Sequence, residues 1–282
     1  MDSLPKNEDY LKSLFDLSGK VAVVTGGGGV LCQLICRSLA RLDVKVAILD
    51  ISIEAAKKVE SAIVDIGGRA LAIQCNVMDE ASLETAAQQV IQTFTRIDIL
   101  INGAGGNKKE ATTGPDLSFF DLPIQAFQDV FNLNFTGTLM SCQVFGKWMA
   151  QQRSGAILNF SSMNYLRPLT RVPAYSAAKA AVSNFTQWLS VHMAQEYSPD
   201  IRVNAIAPGF LITEQNRFLL TDPNTGEPTP RGKAILAHTP AGRFGIPDDL
   251  LGTVIWLLSP ASAHVTGIVV PIDGGFSAYS GV

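Results

Sequence analysis

The sequence predicts an α/β fold, a doubly wound parallel sheet of seven strands with helices on both faces. Seven short β-branched runs are almost continuously apolar, which is typical of strands buried on both faces of a parallel sheet. Segments with helical spacing separate most of these runs, and such alternation indicates right-handed strand–helix–strand units. No repeat, low-complexity segment or Pro/Gly-rich linker divides the chain, so residues 1–282 are expected to form one domain.

The predicted elements follow one another along the chain. Strands are expected at 21–25, 44–50, 70–75, 97–102, 156–161, 201–206 and 268–272. Helices are expected at 31–42, 53–66, 83–94, 124–151, 174–196 and 248–258. The stretch 208–243 interrupts this alternation with repeated prolines between the last two strands. Because connections of that length are uncommon, the stretch predicts a substrate lid, with a plain surface loop as the alternative.

The composition is that of a globular protein. Of its 282 residues 47% are hydrophobic and 17% charged, and 22 basic against 25 acidic side chains give a net charge of −3. These values exclude a disordered chain, and the lack of a basic run argues against nucleic acid as the main partner. No apolar run approaches the roughly 20 residues that span a membrane, and residues 1–20 lack the core of a secretory signal.

The four cysteines form neither a CxxC motif nor a cluster with histidine. The sequence therefore predicts no metal site and no disulfide framework. Together with the absence of a signal, this favours a protein of the reducing cytoplasm.

The turn after the first predicted strand has the composition of a phosphate site. Four consecutive glycines, 26–29, lead directly into a predicted helix. Glycine lets a ligand approach the backbone, and the N–H groups and dipole of a helix N-terminus favour an anion. A glycine run alone could be a tight turn, but its place between strand and helix favours a dinucleotide pyrophosphate. The predicted cofactor contacts here are Thr25, Gly26, Gly28, Gly29, Val30 and Leu31.

Polar residues also end the following strands, at the edge where open α/β sheets bind ligands. An acidic residue at the end of the second strand, Asp50, can accept hydrogen bonds from the adenine ribose and would repel a 2′-phosphate. It therefore predicts NAD rather than NADP, with a helix cap or a solvated turn as the alternative. The further predicted cofactor contacts at this edge are Asn76, Val77, Asn102, Gly103 and Ala104.

Tyr175 and Lys179 stand four residues apart at the start of a predicted helix, so they share a face. An ammonium group together with the positive ring of an oxidised nicotinamide would stabilise a phenolate. Lowering the tyrosine pKa by about three units takes roughly 4 kcal/mol. A surface tyrosine beside a lysine is the alternative reading of this spacing. Ser162, at the end of the fifth strand, could hold a substrate oxygen, and Asn134 could order a water that relays protons to Lys179.

Taken together, these residues resemble the classical short-chain dehydrogenase/reductase family over about residues 15–280. The resemblance implies a Rossmann fold, a nicotinamide dinucleotide, an Asn–Ser–Tyr–Lys catalytic tetrad and a homotetramer. It adds Pro208, Gly209 and Thr213 to the expected cofactor contacts, as well as Tyr175 and Lys179. The chain departs from the family pattern where Val30 and Cys32 replace glycines and where Asn76 replaces an aspartate.

A narrower resemblance links the chain to the D-mannonate oxidoreductase (D-fructuronate reductase) branch of this family. It rests on residues 105–107, 111–113, 131–135, 161–164, 167–170, 213–217 and 274–282. It implies that a sugar acid and its keto form are interconverted with NAD. Such a substrate needs a cation for its carboxylate and polar groups for its hydroxyls. The predicted substrate contacts are Asn107, Asn164, Arg167 (first for the carboxylate) and Arg217 (second), with Lys108, Arg171, Gln215 and Asn216 as further candidates.

Two other functions stay open at this point. A polyol, gluconate or 3-ketoacyl reductase of the same family would use the same tetrad with NAD(P). A regulator that senses a dinucleotide without turning it over would belong to a different class of protein. The presence of Tyr175 and Lys179 together argues against the regulator, because a binding protein needs neither.

Overall fold

Seven parallel strands form the centre of the protein. The computed structural model describes residues 8–214 and 216–281, so the candidate Gln215 and residues 1–7 lie outside the described residues. The strands are β1 (Val21–Thr25), β2 (Lys45–Asp50), β3 (Ala70–Gln74), β4 (Ile99–Asn102), β5 (Gly155–Phe160), β6 (Ile201–Pro208) and β7 (Val269–Ile272). All seven predicted strands are present, with ends that differ from the predicted ones by at most two residues.

Ten α-helices occur among the described residues, and most connect consecutive strands. They are α1 (Glu8–Leu14), α2 (Val30–Arg41), α3 (Ile53–Val64), α4 (Glu80–Phe94), α5 (Ile124–Phe131), α6 (Gly137–Gln152), α7 (Pro173–Glu196), α8 (Arg217–Leu220), α9 (Pro230–Ala237) and α10 (Leu251–Leu258). None of the described helices is both long and apolar enough to cross a membrane.

The sheet has the strand order β3-β2-β1-β4-β5-β6-β7, and every neighbouring pair is parallel. The predicted doubly wound fold is therefore confirmed. The order reverses between β1 and β4, and ligands of such sheets bind at this switch point, at the carboxyl ends of the strands. The register pairs Thr25 with Asn102, so the glycine turn after β1 lies beside the loop after β4.

Both faces of the sheet are covered by helices, which explains why the strands are apolar almost throughout. All five residues of β1 are buried, with Ala22 and Val24 in one core layer and Val21 and Val23 in the other. Each layer contains helices from one side of the sheet. The central strands are thus held from both sides, and their carboxyl ends form a rigid edge on which a site can be built.

One predicted helix, 124–151, is interrupted. It consists of α5 and α6 joined by a π-helical turn at Asn132–Thr136. The side chain of Asn134 explains the interruption, because its Nδ2 donates to the Val130 carbonyl at 2.8 Å, the acceptor that an α-helix would pair with the Asn134 N–H. Turns of this type are frequent at functional sites.

Two other regions also differ from the predicted pattern. The predicted helix 248–258 begins with a 3₁₀ turn, Pro247–Leu250, before α10. The predicted lid, 208–243, contains α8 and α9. These two helices and the segment that connects them, residues 217–237, are called the lid hairpin below. Its connection is closed by a hydrogen bond from the Asp222 N–H to the Glu227 carbonyl at 2.8 Å. The hairpin is therefore an ordered element; that it acts as a lid stays a prediction.

Candidate active site

A cleft of about 460 Å³ opens at the carboxyl ends of the central strands. It brings together the glycine turn, the loops after β4 and β5, the start of α7 and the lid hairpin. Many of the residues predicted from the sequence line it, including all four members of the expected tetrad. The predicted residues in its lining are Gly26, Gly29, Val30, Leu31, Gly103, Asn134, Ser162, Tyr175, Lys179, Pro208, Gly209 and Thr213, together with the further substrate candidate Asn216.

The glycine turn is tightly packed and admits no side chains at two of its predicted contact positions. Gly26 has a φ of +63°, and a Cβ there would lie 2.8 Å from the Ala104 Cα. A Cβ on Gly28 would lie 2.6 Å from the Ala55 Cβ. Gly29 is the N-cap residue of α2 and offers no side-chain acceptor to the first N–H groups of the helix. The first turn of α2, which lines the cleft at Val30 and Leu31, therefore brings helix N-terminal N–H groups and a helix dipole to it, the arrangement that suits a pyrophosphate.

Asp50 is fixed beside this turn. Its Oδ2 accepts a hydrogen bond from the Gly28 N–H at 3.0 Å, and its Oδ1 accepts one from the Ser52 N–H at 3.0 Å. Each carboxylate oxygen accepts one bond here and has capacity for another. The carboxylate is thus held in place with free acceptor capacity, as a ribose hydroxyl would require.

Cys32 replaces a family glycine and packs against Gly103. A Cβ on Gly103 would overlap the Cys32 Sγ and lie 3.0 Å from the Thr25 carbonyl oxygen. Burial and the neighbouring charge of Asp50 raise the pKa of the Cys32 thiol to about 12, so the thiol stays protonated. The sulfur therefore fills the gap between the glycine turn and the end of β4 and leaves no room for a side chain at Gly103.

Thr25, Ala104 and Asn102 take structural positions at the same edge. The Thr25 Oγ1 accepts a hydrogen bond from the Ala104 N–H at 3.3 Å, which ties β1 to the loop after β4. The Asn102 side chain is buried and its Nδ2 donates to the Asn159 Oδ1 at 2.8 Å. These contacts hold the strand ends together and leave cofactor contacts of the three residues as predictions.

Asn76 and Val77, after β3, lie away from the cleft lining. Asn76 is exposed, and its Oδ1 accepts a hydrogen bond from the Met78 N–H at 3.0 Å. Val77 is buried, and a Cβ on Gly137 would approach its Cγ2 to 2.8 Å. Their expected contacts with an adenine ring likewise stay predictions.

The loop after β6 closes the other end of the cleft. Gly209 packs against Asp273, whose Cβ would lie 2.5 Å from a Cβ at Gly209. The Thr213 N–H donates to the Asn216 Oδ1 at 2.7 Å, and the Asn216 Nδ2 donates to the Leu211 carbonyl at 2.8 Å. The Asn216 side chain thus holds the loop that carries Thr213 along the cleft.

Ser162, Tyr175 and Lys179 form one cluster. The Ser162 side chain lies beside the Tyr175 hydroxyl and acts to lower the pKa of the phenol. The Lys179 Nζ donates to the Phe160 carbonyl, the last of β5, at 2.7 Å. The same Nζ lies 5.4 Å from the centre of the Tyr175 ring. Tyr175 faces the cleft shared with the glycine turn, so its hydroxyl is available to a substrate bound beside a dinucleotide.

Burial dominates the protonation of this pair. It lowers the pKa of Lys179 to about 8 and raises the pKa of Tyr175, which the Ser162 hydrogen bond opposes only in part. The expected lowering of the Tyr175 pKa counted on a positively charged nicotinamide as well as on Lys179. In the protein alone the direction is reversed, because the desolvation of the phenolate outweighs the stabilising contacts.

Asn134 is fully buried and faces the loop after β4. Its Nδ2 donates to the Gly106 carbonyl at 2.7 Å, and its Oδ1 accepts from the Gly106 N–H at 3.2 Å. A Cβ on Gly105 would lie 2.5 Å from that Oδ1 and 3.6 Å from the Lys179 Nζ. Both polar groups therefore border the space beside Gly105, which is the position a proton-relaying water would need.

The structure does not bring the four predicted substrate contacts into the lining of the cleft. Asn107 is exposed, and its Nδ2 donates to the Thr112 Oγ1 at 2.8 Å. Asn164 is buried, and its Nδ2 is directed at the Ser176 Oγ, 3.5 Å away. Arg167 and Arg217 are both exposed. Their substrate contacts therefore stay predictions.

Arg231 lines the cleft and has no counterpart in the sequence predictions. It lies in the first turn of α9, and the lid hairpin brings it to the side of the cleft near Leu219 and Leu220. Nothing in the sequence marks it apart from its place in the stretch 208–243. Only the packing of the hairpin shows its position.

Comparison with known proteins agrees with this geometry. The family model for short chain dehydrogenases matches residues 20–224. The uncharacterized oxidoreductase UxuB of Bacillus subtilis is 49% identical over 276 residues, which cover 95% of this chain and 98% of the relative. The 2-dehydro-3-deoxy-D-gluconate 5-dehydrogenase of Dickeya dadantii is 32% identical over 265 residues, 94% of this chain and 98% of the relative.

A solved structure is also similar. It is that of a Haemophilus influenzae protein provisionally named a D-mannonate oxidoreductase, with bound NAD. It superimposes with a TM-score of 0.89 at 46% identity, covering 95% of this chain and 98% of that one. The family match spans more than half of the chain and includes the tetrad that lines the cleft. The chain therefore belongs to the short-chain dehydrogenase family.

Proposed function

We propose that the protein is an NAD-dependent oxidoreductase that interconverts a sugar acid and its keto form, D-mannonate and D-fructuronate. The observation that carries this proposal is the position of Asn134, Ser162, Tyr175 and Lys179 in one cleft with the glycine turn. The similarity to the Haemophilus influenzae protein with bound NAD supports both the cofactor and the substrate.

The residues at the glycine turn fit a dinucleotide. The start of α2 lines the cleft and offers helix N-terminal N–H groups, and the close packing around Gly26 and Gly28 holds the turn that leads into it. Asp50 would accept hydrogen bonds from the adenine ribose and repel a 2′-phosphate, which favours NAD over NADP. When bound, NAD supplies the hydride acceptor for oxidation, and its reduced form supplies the donor.

The side chains of the cluster have distinct roles in this proposal. The hydroxyls of Ser162 and Tyr175 hold the reacting oxygen of the substrate. Tyr175 takes the alcohol proton during oxidation and returns it to the carbonyl oxygen during reduction, as general base and acid. Lys179, with its pKa near 8, stabilises the tyrosinate as an ammonium and exchanges protons close to neutral pH. Asn134 orders the water that reconnects Lys179 to solvent.

The choice of a sugar acid rests on two kinds of support. Two similar proteins, the Haemophilus influenzae protein and the Dickeya dadantii dehydrogenase, have names that refer to sugar acids. In addition, the cleft carries cationic groups, which suit a carboxylate. Substrate contacts by Asn107, Asn164, Arg167 and Arg217 stay predictions.

Substrate profiling tests the proposal. The purified protein is assayed for oxidation of NADH and NADPH with D-fructuronate, a keto-gluconate, a ketose and a 3-ketoacyl thioester. We expect kcat/KM for D-fructuronate with NADH to exceed every other combination by at least about tenfold. Tyr175→Phe is the matched control, because it removes one hydroxyl and should abolish turnover. A preference for uncharged carbonyls would contradict the sugar-acid function, and NADH binding without turnover of any substrate would indicate a regulator.

We also propose that the protein is a cytoplasmic homotetramer. An apolar face on α7 is open to solvent in the single chain, with Trp188 57% exposed and Val191 55% exposed. A patch of this kind is expected to be covered by a second copy of the chain. The four cysteines are free and buried, which fits a reducing compartment. Light scattering of the purified protein would test the assembly, and a monomeric mass would contradict it.

A further inference from the structure

Two cationic side chains, and no carboxylate, line the cleft among the residues that the structure describes: Lys179 and Arg231. Lys179 is already engaged, because its Nζ donates to the Phe160 carbonyl and lies beside the Tyr175 ring. Arg231 lines the cleft from the lid hairpin. It is therefore the cation that remains for an anionic group of the substrate.

The position of Arg231 is determined by the packing at the start of α9. The Thr229 N–H donates to the Leu220 carbonyl at 3.0 Å, and the Thr229 Oγ1 accepts from the Gly232 N–H at 3.0 Å. A Cβ on Gly232 would overlap the Leu220 carbonyl oxygen, so this glycine allows α9 to lie directly against α8. Arg231 stands between Thr229 and Gly232 in this docked turn, and its backbone is held although its side chain is exposed.

The guanidinium group of Arg231 is free to bind a ligand. Across residues 8–214 and 216–281 it forms no hydrogen bond and no ion pair. Two other exposed cations are already paired: Lys108 with Asp129 at 2.9 Å, and Arg243 with Asp249 at 2.7 Å. Arginine suits a carboxylate because its planar group donates two parallel hydrogen bonds to the two oxygens.

We propose that Arg231 binds the carboxylate of the substrate, in place of the predicted Arg167 and Arg217. This inference rests on the proposed sugar-acid function and makes it more specific. In D-mannonate the carboxylate and the reacting carbon are several bonds apart, so separate groups must bind them. Tyr175 and Ser162 bind the reacting end and Arg231 binds the acidic end, which orients the sugar chain between the tetrad and the lid hairpin.

The test compares charged and uncharged substrates in matched variants. The reduction of D-fructuronate and of its methyl ester is measured with wild type, Arg231→Met, Arg231→Lys, Arg217→Met and Lys233→Met. Lys233 is the control, because it is an exposed cation on the same helix that does not line the cleft. Binding of D-mannonate to the protein–NADH complex is measured by calorimetry, which does not depend on turnover.

We expect Arg231→Met to raise the KM for D-fructuronate and the Kd for D-mannonate at least about tenfold, the loss typical of one charged hydrogen-bonded contact. Arg231→Lys should lie between wild type and Arg231→Met. The KM for the methyl ester and the Kd for NADH should stay within about twofold of wild type. Lys233→Met should leave all four constants unchanged.

Three results would overturn the assignment. In the first, Arg231→Met behaves as wild type on D-fructuronate, or the loss falls on Arg217→Met instead. In the second, the Kd for NADH rises as much as the KM, which would make Arg231 a cofactor contact. In the third, wild type itself acts only on uncharged carbonyls, which would overturn the sugar-acid function as well. The first two results leave the proposed function intact, so the two failures are distinguishable.

Discussion

The contact between Cys32 and Gly103 predicts that an alanine at position 103 will damage both stability and cofactor binding. The added Cβ would overlap the Cys32 Sγ and would approach the Thr25 carbonyl to 3.0 Å. Overpacking of a well-filled interior costs about 1–3 kcal/mol. We expect Gly103→Ala to lower the free energy of unfolding by about 2 kcal/mol. Since the strain is relieved by moving the end of β4 away from the glycine turn, NADH binding should weaken too.

Removing the sulfur should relieve most of that strain. In the double variant Cys32→Ala/Gly103→Ala, the new methyl group would lie 3.7 Å from the Cβ of residue 32, an ordinary van der Waals distance. Cys32→Ala alone leaves a small cavity and should cost about 1 kcal/mol. The two changes together should cost less than their sum by about 1–2 kcal/mol, a coupling expected of residues in contact. The approach to the Thr25 carbonyl remains, so recovery should be partial.

Urea unfolding of wild type, the two single variants and the double variant, all at one fixed protein concentration, measures this coupling. Fluorescence titration with NADH measures cofactor binding by the same four proteins. Gly114→Ala is the control, because a Cβ there would meet nothing within 4 Å and should change stability by less than about 0.5 kcal/mol. Additive free energies, within about 0.5 kcal/mol, would show that the sulfur does not restrict residue 103.

Three further predictions concern the tetrad and the choice of cofactor. Tyr175→Phe should abolish turnover and leave the Kd for NADH within about twofold, because only the hydroxyl is lost; retained turnover would remove Tyr175 from proton transfer. Asp50→Ser should raise kcat/KM with NADPH and lower it with NADH, each by about tenfold, and an unchanged ratio would exclude Asp50 as the ribose contact. Lys179→Met should remove a pH dependence of stability, since burial lowers the Lys179 pKa from 10.5 to about 8. Because the unfolded chain binds more protons than the folded one between those pH values, the free energy of unfolding of ligand-free wild type should rise by about 3 kcal/mol relative to the variant as the pH goes from about 8 to 10.5. Equal pH profiles for the two proteins would contradict the buried ammonium.

Much of the fold could be predicted because its signals are local. The apolar run of β1 indicates a strand buried on both faces, and the glycines after it indicate a tight turn. The structure shows both, with Ala104 packed closely against Gly26. The π-helical turn at Asn132–Thr136 could not be predicted, because apolar periodicity continues through it. The turn accompanies side-chain hydrogen bonds of Asn134, which donates to the Val130 carbonyl and both donates to and accepts from the backbone of Gly106, a residue on a distant loop.

The site was predictable to a similar extent. Tyr175 and Lys179 share a helical face wherever the helix lies, so their pairing is readable from spacing alone. The direction of the Tyr175 pKa shift in the protein alone could not be predicted from the sequence. It depends on the desolvation of the phenolate, and therefore on how the whole cleft packs around the ring. Cys32 replaces a glycine of the family pattern, and only the structure shows where its sulfur fits. It lies against Gly103, which is distant in sequence and adjacent in space.

By itself, the sequence determined the order of the strands and of the main helices between them, the family, and the residues expected to form the tetrad. These depend on periodicity, spacing and residue type, which act over a few neighbouring positions. Only the tertiary structure decided which cation reaches the cleft: Arg167 and Arg217 stay outside its lining, and Arg231 enters it because α9 docks on α8. The direction of a surface side chain depends on long-range packing of the backbone that carries it, and no local pattern in the chain encodes that packing.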